Sequence, residues 1–192
     1  MQIDHVIWAT ADLDAAAERL ERGHGLRAGG GGRHEGMGTH NRIVPLGRGY
    51  LELLAVADAD EAAGSALGRA VTERLAGVGE GLMGWAVSVE DVTAVAARLG
   101  TELVEIRRQG FAGRLTGVAE AMAEPCLPFF IERAGDVRAP GAGGDAGGLQ
   151  WVEVAGDAAR LEAWLGGEEL PVRVRTGAPA LLAVGIGEQE LR

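Results

Sequence analysis

The chain has 192 residues, of which 47% are hydrophobic, and this is enough for one globular domain with a sizeable core. Its net charge of −10, without any run of basic residues, argues against a surface for nucleic acid or anionic membranes, so a small molecule is the expected partner. The single cysteine, Cys126, excludes an internal disulfide, and the complete lack of Lys excludes a Schiff-base lysine.

The amino terminus enters a strand-like pattern directly, without the charged and apolar regions of a signal peptide. No apolar stretch reaches the length needed to span a membrane. We therefore expect a cytoplasmic protein with no membrane partner.

Three segments repeat one pattern, in which an apolar run with a tryptophan leads to an acidic residue and an Ala/Leu-rich helical stretch. They are "VIWATADLDAAAERL", "MGWAVSVEDVTAVAARL" and "LQWVEVAGDAARLEAWL". The tryptophan-to-aspartate spacing is the same in each: Trp8 to Asp14, Trp85 to Asp91 and Trp151 to Asp157. Each repeat predicts a strand that passes into a helix, with an Asp near the helix start.

The stretches between the repeats predict the remaining elements. "GGGGRHEGMG" lacks the phosphate-binding glycine spacings and is interpreted as a flexible loop or strand edge, and "HNRIVPLG" and "YLELLAV" as strands. Leu67, Val71 and Leu75 lie on one helical face of a connecting helix. "TELVEIRR", "GRLTGVAEAMA" and "LPFFIER" complete a second set of strands, and "RAPGAGGDAGG" is a linker.

These elements form the pattern β-α-β-β-β twice, followed by a shorter β-α-β-β copy. We predict a single α+β domain over residues 1–192. Its parts are a first module (1–57), a connecting helix (58–78), a second module (79–135), a linker (136–148) and a C-terminal half-module (149–192).

Glu52 lies between leucines in "YLELLAV". Strand alternation places Tyr50, Glu52 and Leu54 on one face, and it places His5 and Ile7 on the face opposite Trp8. A carboxylate among apolar neighbours is either solvated on an open sheet face or held for a purpose such as metal ligation. The residues alone leave both interpretations open.

The paired modules resemble the glyoxalase-like branch of the vicinal oxygen chelate superfamily. The resemblance rests on "IDHVIWATADLDAAAERL", on "GTHN" followed by "YLELLAV", and on "LPFFIER" at the end of the second module. It implies two modules whose sheets enclose a cleft. The superfamily includes isomerases, lyases, ring-cleaving dioxygenases, epimerases and antibiotic-binding resistance proteins, so the fold alone does not fix the activity.

The resemblance also implies metal ligands on the first and last strands of each module. Carried over to this sequence, the ligands are His5, Glu52 and Glu132, whereas the second-module counterpart of His5 is Leu82, which cannot bind metal. Such a set could hold Mn²⁺, Fe²⁺, Ni²⁺ or Zn²⁺ with open positions for a substrate. The alternative is that these residues are hydrogen-bonded polar groups lining a cavity.

Further candidates lie on neighbouring strands. His40 could replace the missing ligand or act as a base, so Glu52, Glu132 and His40 are the catalytic candidates, although a surface histidine is the simpler interpretation of His40. Asn41, Arg108 and Arg114 are substrate-binding candidates, because a guanidinium binds carboxylate or phosphate through two hydrogen bonds.

Two functions follow. The first is a metal-dependent lyase, isomerase or dioxygenase acting on a small oxygenated metabolite, which His5 and both glutamates favour. The second is a metal-free protein that binds or sequesters a small molecule, which Leu82 favours. The substrate is undetermined, and a homodimer is left open.

Overall fold

Two β-α-β-β-β modules, joined by two helices, form most of the chain in the computed structural model, which describes residues 1–108, 111–133 and 140–192. The first module comprises β1 (Gln2–Ala9), α1 (Leu13–His24), β2 (Gly29–His34), β3 (Thr39–Pro45) and β4 (Tyr50–Val56). The connection comprises α2 (Ala59–Ala63) and α3 (Ala66–Gly77). The second module comprises β5 (Gly81–Ser88), α4 (Val92–Leu99), β6 (Leu103–Arg108), β7 (Phe111–Thr116), α5 (Val118–Ala123) and β8 (Phe129–Arg133).

The modules share one eight-stranded sheet with the strand order β2-β3-β4-β1-β5-β8-β7-β6. Antiparallel pairing of β1 with β5 joins them, and each first strand lies parallel to the last strand of its own module. The outer edges approach each other, since the Glu35 N–H donates to the Arg107 carbonyl at 3.3 Å. The predicted α+β fold with paired β-α-β-β-β modules is therefore confirmed.

The C-terminal segment forms a separate sheet with the strand order β10-β9-β11-β12. Its elements are β9 (Leu149–Ala155), α6 (Ala158–Leu165), β10 (Val172–Arg175), β11 (Ala180–Ile186) and β12 (Gln189–Leu191). The short β12 extends the predicted β-α-β-β pattern by one strand. None of the helices in the described ranges has both the length and the apolar character needed to cross a membrane.

Aspartates begin the helices of all three repeats, as predicted. Asp91 and Asp157 accept backbone N–H hydrogen bonds at the starts of α4 and α6. In the first repeat the capping residue is Asp12, and Asp14 lies in the first turn of α1. The cap of the first repeat is therefore two residues closer to its tryptophan than the caps of the other repeats, and this displacement affects the comparison of the modules below.

Two other elements differ from their predicted form. The connecting helix is broken at Gly64 and Ser65, where the Ser65 hydroxyl accepts a hydrogen bond from the Gly68 N–H and starts α3. The segment "GRLTGVAEAMA" is a strand only at its beginning and continues as α5. The glycine-rich stretch contributes β2, which is an edge strand of the large sheet.

The large sheet buries both of its faces. We call the face with Leu51, Trp85 and Phe130 the outer face; it packs against α1, α4, α6 and the small sheet. We call the face with Leu54 and Phe129 the inner face; it packs against α3 and α5. The C-terminal segment thus covers the outer face, and the functional groups described below lie on the inner face.

Candidate functional site

Glu52 lies on the inner face of β4 and is only 7% exposed. Its neighbours Leu51 and Leu53 pack into the outer-face core, whereas Leu54 packs into the inner-face cluster, as strand alternation predicts. The interpretation of Glu52 as a solvated group on an open sheet face is therefore wrong. A buried carboxylate needs hydrogen-bond partners, and several surround it.

Asn41 and His34 fix one side of the Glu52 carboxylate. The Asn41 side-chain oxygen accepts a hydrogen bond from the Gly32 N–H at 2.9 Å, so its amide nitrogen faces Glu52 Oε1, to which it donates. The same nitrogen lies 3.1 Å from His34 Nε2, which must then accept. The opposite ring nitrogen of His34, Nδ1, is 2.9 Å from the Thr39 hydroxyl, which accepts its proton.

His5 stands on the other side of the carboxylate. Its Nε2 is 3.4 Å from Glu52 Oε2, and its Nδ1 is 2.6 Å from Asp4 Oδ1. The Tyr50 ring stacks on the imidazole with the centroids 4.5 Å apart, and the Phe129 ring meets it edge-on at 5.4 Å. Both orientation and environment of His5 are thereby fixed by the first strand, the last strand of its module and the last strand of the second module.

Asp4 is held as an anion by Arg133 and by its neighbour His5. Its carboxylate accepts hydrogen bonds from both terminal nitrogens of Arg133, which lies at the end of β8. Burial is the largest influence on the Asp4 pKa and raises it, but the hydrogen bonds and charges of His5 and Arg133 together bring that pKa down to about 2. The polar groups therefore run in a line from Arg133 through Asp4, His5 and Glu52.

The lowered Asp4 pKa predicts a pH dependence of stability. The pKa of Asp4 is lowered from 3.8 in the unfolded chain to about 2 in the folded protein. The contribution of Asp4 to the unfolding free energy is therefore present above about pH 4 and is lost as the pH falls towards 2. The expected contribution is about 2 kcal/mol of unfolding free energy. Urea unfolding at several pH values should show that the unfolding free energy falls less steeply between about pH 4 and pH 2 in Asp4→Asn than in the unsubstituted protein. Equal slopes would contradict the prediction.

Glu132 does not join this group, which corrects the predicted ligand set. It accepts a hydrogen bond from the Val92 N–H at 2.9 Å at the start of α4 and binds Arg114 at 2.6 Å on the outer face. The hydrogen bond from Arg114 is the main reason that the pKa of Glu132 is lowered. In β8 the residues with inner-face contacts are Phe129, Ile131 and Arg133. A shift of one residue along a strand exchanges the faces, so Arg133, and not Glu132, has its side chain on the inner face.

The symmetry of the sheet explains why the second module lacks the cluster. Val6 pairs with Trp85 where β1 meets β5, and aligning these two residues also aligns the caps Asp12 and Asp91. In this alignment Gly84 corresponds to His5. Because Ile7 pairs with Glu52 and its counterpart Ala86 pairs with Phe129, Phe129 corresponds to Glu52. Neither counterpart has a side chain that can bind a metal or move a proton.

The remaining candidates are scattered. His40 points away from Glu52 and lines a surface cavity of about 490 Å³ beside the start of α1. Arg114 contacts Thr93 and Glu132 outside the cluster. Arg108 ends β6, and its side chain lies outside the described residues. Among the predicted site residues whose side chains the structure describes, His5, Asn41 and Glu52 are the ones brought together.

The metal expected from the resemblance requires ligands that converge. His5 Nε2 and Glu52 Oε2 are adjacent, but Glu132 is on the opposite face. Within residues 1–108, 111–133 and 140–192, no three His, Cys, Asp or Glu side chains are arranged to hold one ion. The described residues therefore do not fit the predicted three-ligand site, and we assign no chemical step to a metal.

The sequence analysis missed Asp4, His34 and Arg133 as members of the group. His34 falls in the glycine-rich stretch interpreted as a loop or strand edge, and it belongs to the edge strand β2. Strict alternation would place Asp4 on the face opposite His5, and the ligand role that the resemblance implied for Glu132 drew attention away from its neighbour Arg133. An adjacent Asp-His pair was the one signal in the sequence that could have pointed to this arrangement.

Comparisons with known proteins agree with the fold and place it in context. The family model of the glyoxalase-like domain matches residues 3–168. A variant of Streptomyces coelicolor methylmalonyl-CoA epimerase, bound to 2-nitronate-propionyl-CoA, is 26% identical; the match covers 70% of this chain and 99% of that one, with a TM-score of 0.54. A methylmalonyl-CoA epimerase in complex with methylmalonyl-CoA and NH4+ is 27% identical over 72% of this chain and 98% of that one, with a TM-score of 0.54.

A further structural relative extends over more of the chain. A hypothetical protein from Staphylococcus aureus matches 92% of this chain and 86% of its own length with a TM-score of 0.67, but at 18% identity it shows the fold alone. No curated protein sequence matches the chain significantly.

Proposed function

Because the chain belongs to the glyoxalase-like domain family, we propose that it is an isomerase-type enzyme that moves a proton at a carbon next to a carbonyl group of a small oxygenated metabolite. The observation that carries this proposal is the Glu52 carboxylate, buried on the inner face with His5 Nε2 3.4 Å from its oxygen. A positioned carboxylate with an imidazole beside it is a common arrangement for general acid–base catalysis.

In the proposed reaction Glu52 takes the proton from the carbon, and the electron pair of the C–H bond moves towards the carbonyl oxygen to give an enolate. Asn41 orients the carboxylate by donating to Oε1, which leaves Oε2 on the side of His5. Asp4 accepts a hydrogen bond from His5 Nδ1–H, so Nε2 of the neutral ring has a lone pair that can receive the proton from Glu52. Glu52, or His5 once it is protonated on Nε2, returns a proton to the carbon and completes the isomerisation.

The buried position of Glu52 limits the substrate. Since only 7% of the residue is exposed, a substrate reaches the carboxylate only when neighbouring groups shift. The methylmalonyl-CoA epimerase structures support this reaction class because their ligands are acyl-CoA esters. For this chain, an acyl thioester or a related small oxygenated acid is the proposed substrate, and the cytoplasm is its proposed location.

The test is solvent exchange at the acidic carbon. Purified protein is incubated in D2O with methylmalonyl-CoA, then with other 2-substituted acyl thioesters and their free acids, and the α-proton signal is followed by NMR. With protein that has been treated with a chelator, we expect the α-proton signal to be lost faster than in the protein-free control. Loss only after addition of Mn²⁺, Fe²⁺, Ni²⁺ or Zn²⁺, with metal retained by the protein, would instead support the metal-dependent form. No exchange with any compound would overturn the proposal.

A second function is favoured by the second module. Gly84 and Phe129 stand where His5 and Glu52 stand in the first module, so half of the symmetric arrangement carries no reactive group. This favours a protein that binds a small molecule against an apolar wall without converting it. A compound that raises the melting temperature but shows no exchange and no product would support binding over catalysis.

A further inference from the structure

Asp4 reaches His5 because of an irregularity in β1. Across the β1–β5 pair, Ile3 lies opposite Val87 and His5 lies opposite Ala86, so Asp4 is an extra residue between consecutive partners. Strict alternation would place Asp4 and His5 on opposite faces. The bulge turns the Asp4 carboxylate to Arg133 and to its own neighbour, His5, as bulges beside functional groups commonly do.

The backbone at this bulge is closely packed. A Cβ built on Gly49, whose φ is +71°, would lie 2.9 Å from the Asp4 carbonyl oxygen. The turn that leads into β4 therefore presses against the bulge at a point where a side chain would clash. This contact links the position of Asp4 to the strand that carries Tyr50 and Glu52.

The second module completes the arrangement. Arg133 donates both terminal nitrogens to the Asp4 carboxylate, and its guanidinium carbon lies 5.9 Å from the centroid of the Tyr50 ring. The Tyr50 ring in turn stacks on His5 with an interplanar angle of 15°. Asp4 is 6% exposed and the Arg133 side chain 14%, so water competes little with these contacts.

We propose that Asp4 and Arg133 are positioning residues that keep the proton of neutral His5 on Nδ1 and hold its Nε2 beside Glu52, where it can receive the proton that Glu52 takes from the substrate. This inference deepens the proposed function, on which its chemical meaning rests. An ionised carboxylate can only accept hydrogen bonds, and the Asp4 oxygen lies 2.6 Å from Nδ1 whereas the Glu52 oxygen lies 3.4 Å from Nε2, so the single proton of the neutral ring is held on Nδ1. Arg133 fixes the orientation of the Asp4 carboxylate. Its positive charge also compensates the negative charge of Asp4, which would otherwise be buried beside His5 and Glu52 without an opposite charge.

A tautomer measurement tests the inference without any substrate. Long-range ¹⁵N–¹H correlation spectra of histidine-labelled protein, recorded where the rings are neutral, report the protonated nitrogen of each histidine, and His5→Gln assigns the signal. We expect His5 to be protonated on Nδ1. In Asp4→Asn, Arg133 holds the amide oxygen and the amide nitrogen faces His5, so the proton should move to Nε2. The expected change in the tautomer ratio is about tenfold or more, since one hydrogen bond decides it.

A double variant separates positioning from general support of the fold. In Asp4→Asn combined with Arg133→Met, the amide is free to turn its oxygen to Nδ1, and the original tautomer should return in part. Arg160→Met serves as the control. It removes an ion pair between Arg160, on α6, and Glu124, and it should leave the tautomer ratio of His5 unchanged. Melting curves show whether each variant is folded.

The outcomes are distinct. Protonation of His5 on Nε2 in the unsubstituted protein would overturn the inference, even if Asp4→Asn does not fold. An unchanged tautomer in folded Asp4→Asn would also overturn it, and a double variant identical to Asp4→Asn would remove the role of Arg133. The predicted tautomers in a protein that exchanges no α-proton would leave the positioning intact and count against the proposed function alone.

Discussion

Replacing Glu52 by Gln should lower the rate of α-proton exchange by a factor of about 10² to 10⁴, the usual contribution of a general base. The substituted side chain has nearly the same shape, but its amide cannot take a proton from carbon. Its amide oxygen can accept from Asn41 in place of Oε1, and its amide nitrogen then lies in place of Oε2, facing His5 Nε2. The measurement is the initial rate of α-proton loss in D2O, followed by NMR for a compound that the unsubstituted protein exchanges.

Two matched glutamates make the result specific. Glu105→Gln changes an exposed carboxylate paired with Arg107 on β6, and its exchange rate should equal that of the unsubstituted protein. Glu132→Gln alters the carboxylate at the start of α4 and should lower the stability slightly while the rate is retained. Retained exchange in Glu52→Gln would refute its role as the base. Equal losses in Glu52→Gln and Glu132→Gln would return the three-ligand metal site to consideration.

Removing residues 149–192 should prevent the two modules from forming a stable, soluble protein. The removed segment supplies Val152, Trp164 and Val184 to the core on the outer face of the large sheet. Trp164 also donates to the Pro128 carbonyl at 2.7 Å in the loop that leads into β8. Loss of a single buried Trp costs about 3–5 kcal/mol, and a whole domain is stable by only about 5–15 kcal/mol. The free-energy cost of uncovering this face therefore exceeds the stability of the remaining chain.

The measurement combines solubility, sedimentation and thermal unfolding of the truncated chain. Trp164→Ala in the full chain is the graded control, and it should lower the melting temperature while the protein stays soluble. A monodisperse truncated protein with an unchanged melting temperature would show that the C-terminal segment is not required to cover the outer face.

Much of the fold was accessible from the sequence because the relevant signals are local. The three tryptophan-containing repeats predicted strand-to-helix units, and each unit has an aspartate cap, with Asp12 in place of Asp14 in the first. Alternation in "YLELLAV" predicted that Glu52 shares a face with Leu54 and not with Leu51, and the clusters confirm it. The resemblance to the glyoxalase-like branch then supplied the pairing of the modules.

The sequence by itself therefore determined the α+β architecture and the placement of His5 and Glu52 on neighbouring strands. Only the tertiary structure decided what surrounds them. A bulge turned Asp4 towards His5, the register of β8 placed Arg133 and not Glu132 on the inner face, and β2 brought His34 to within 3.6 Å of Glu52. Side-chain alternation follows from the backbone of one strand, whereas a bulge or a one-residue register is set by the partner strands and by which face is buried.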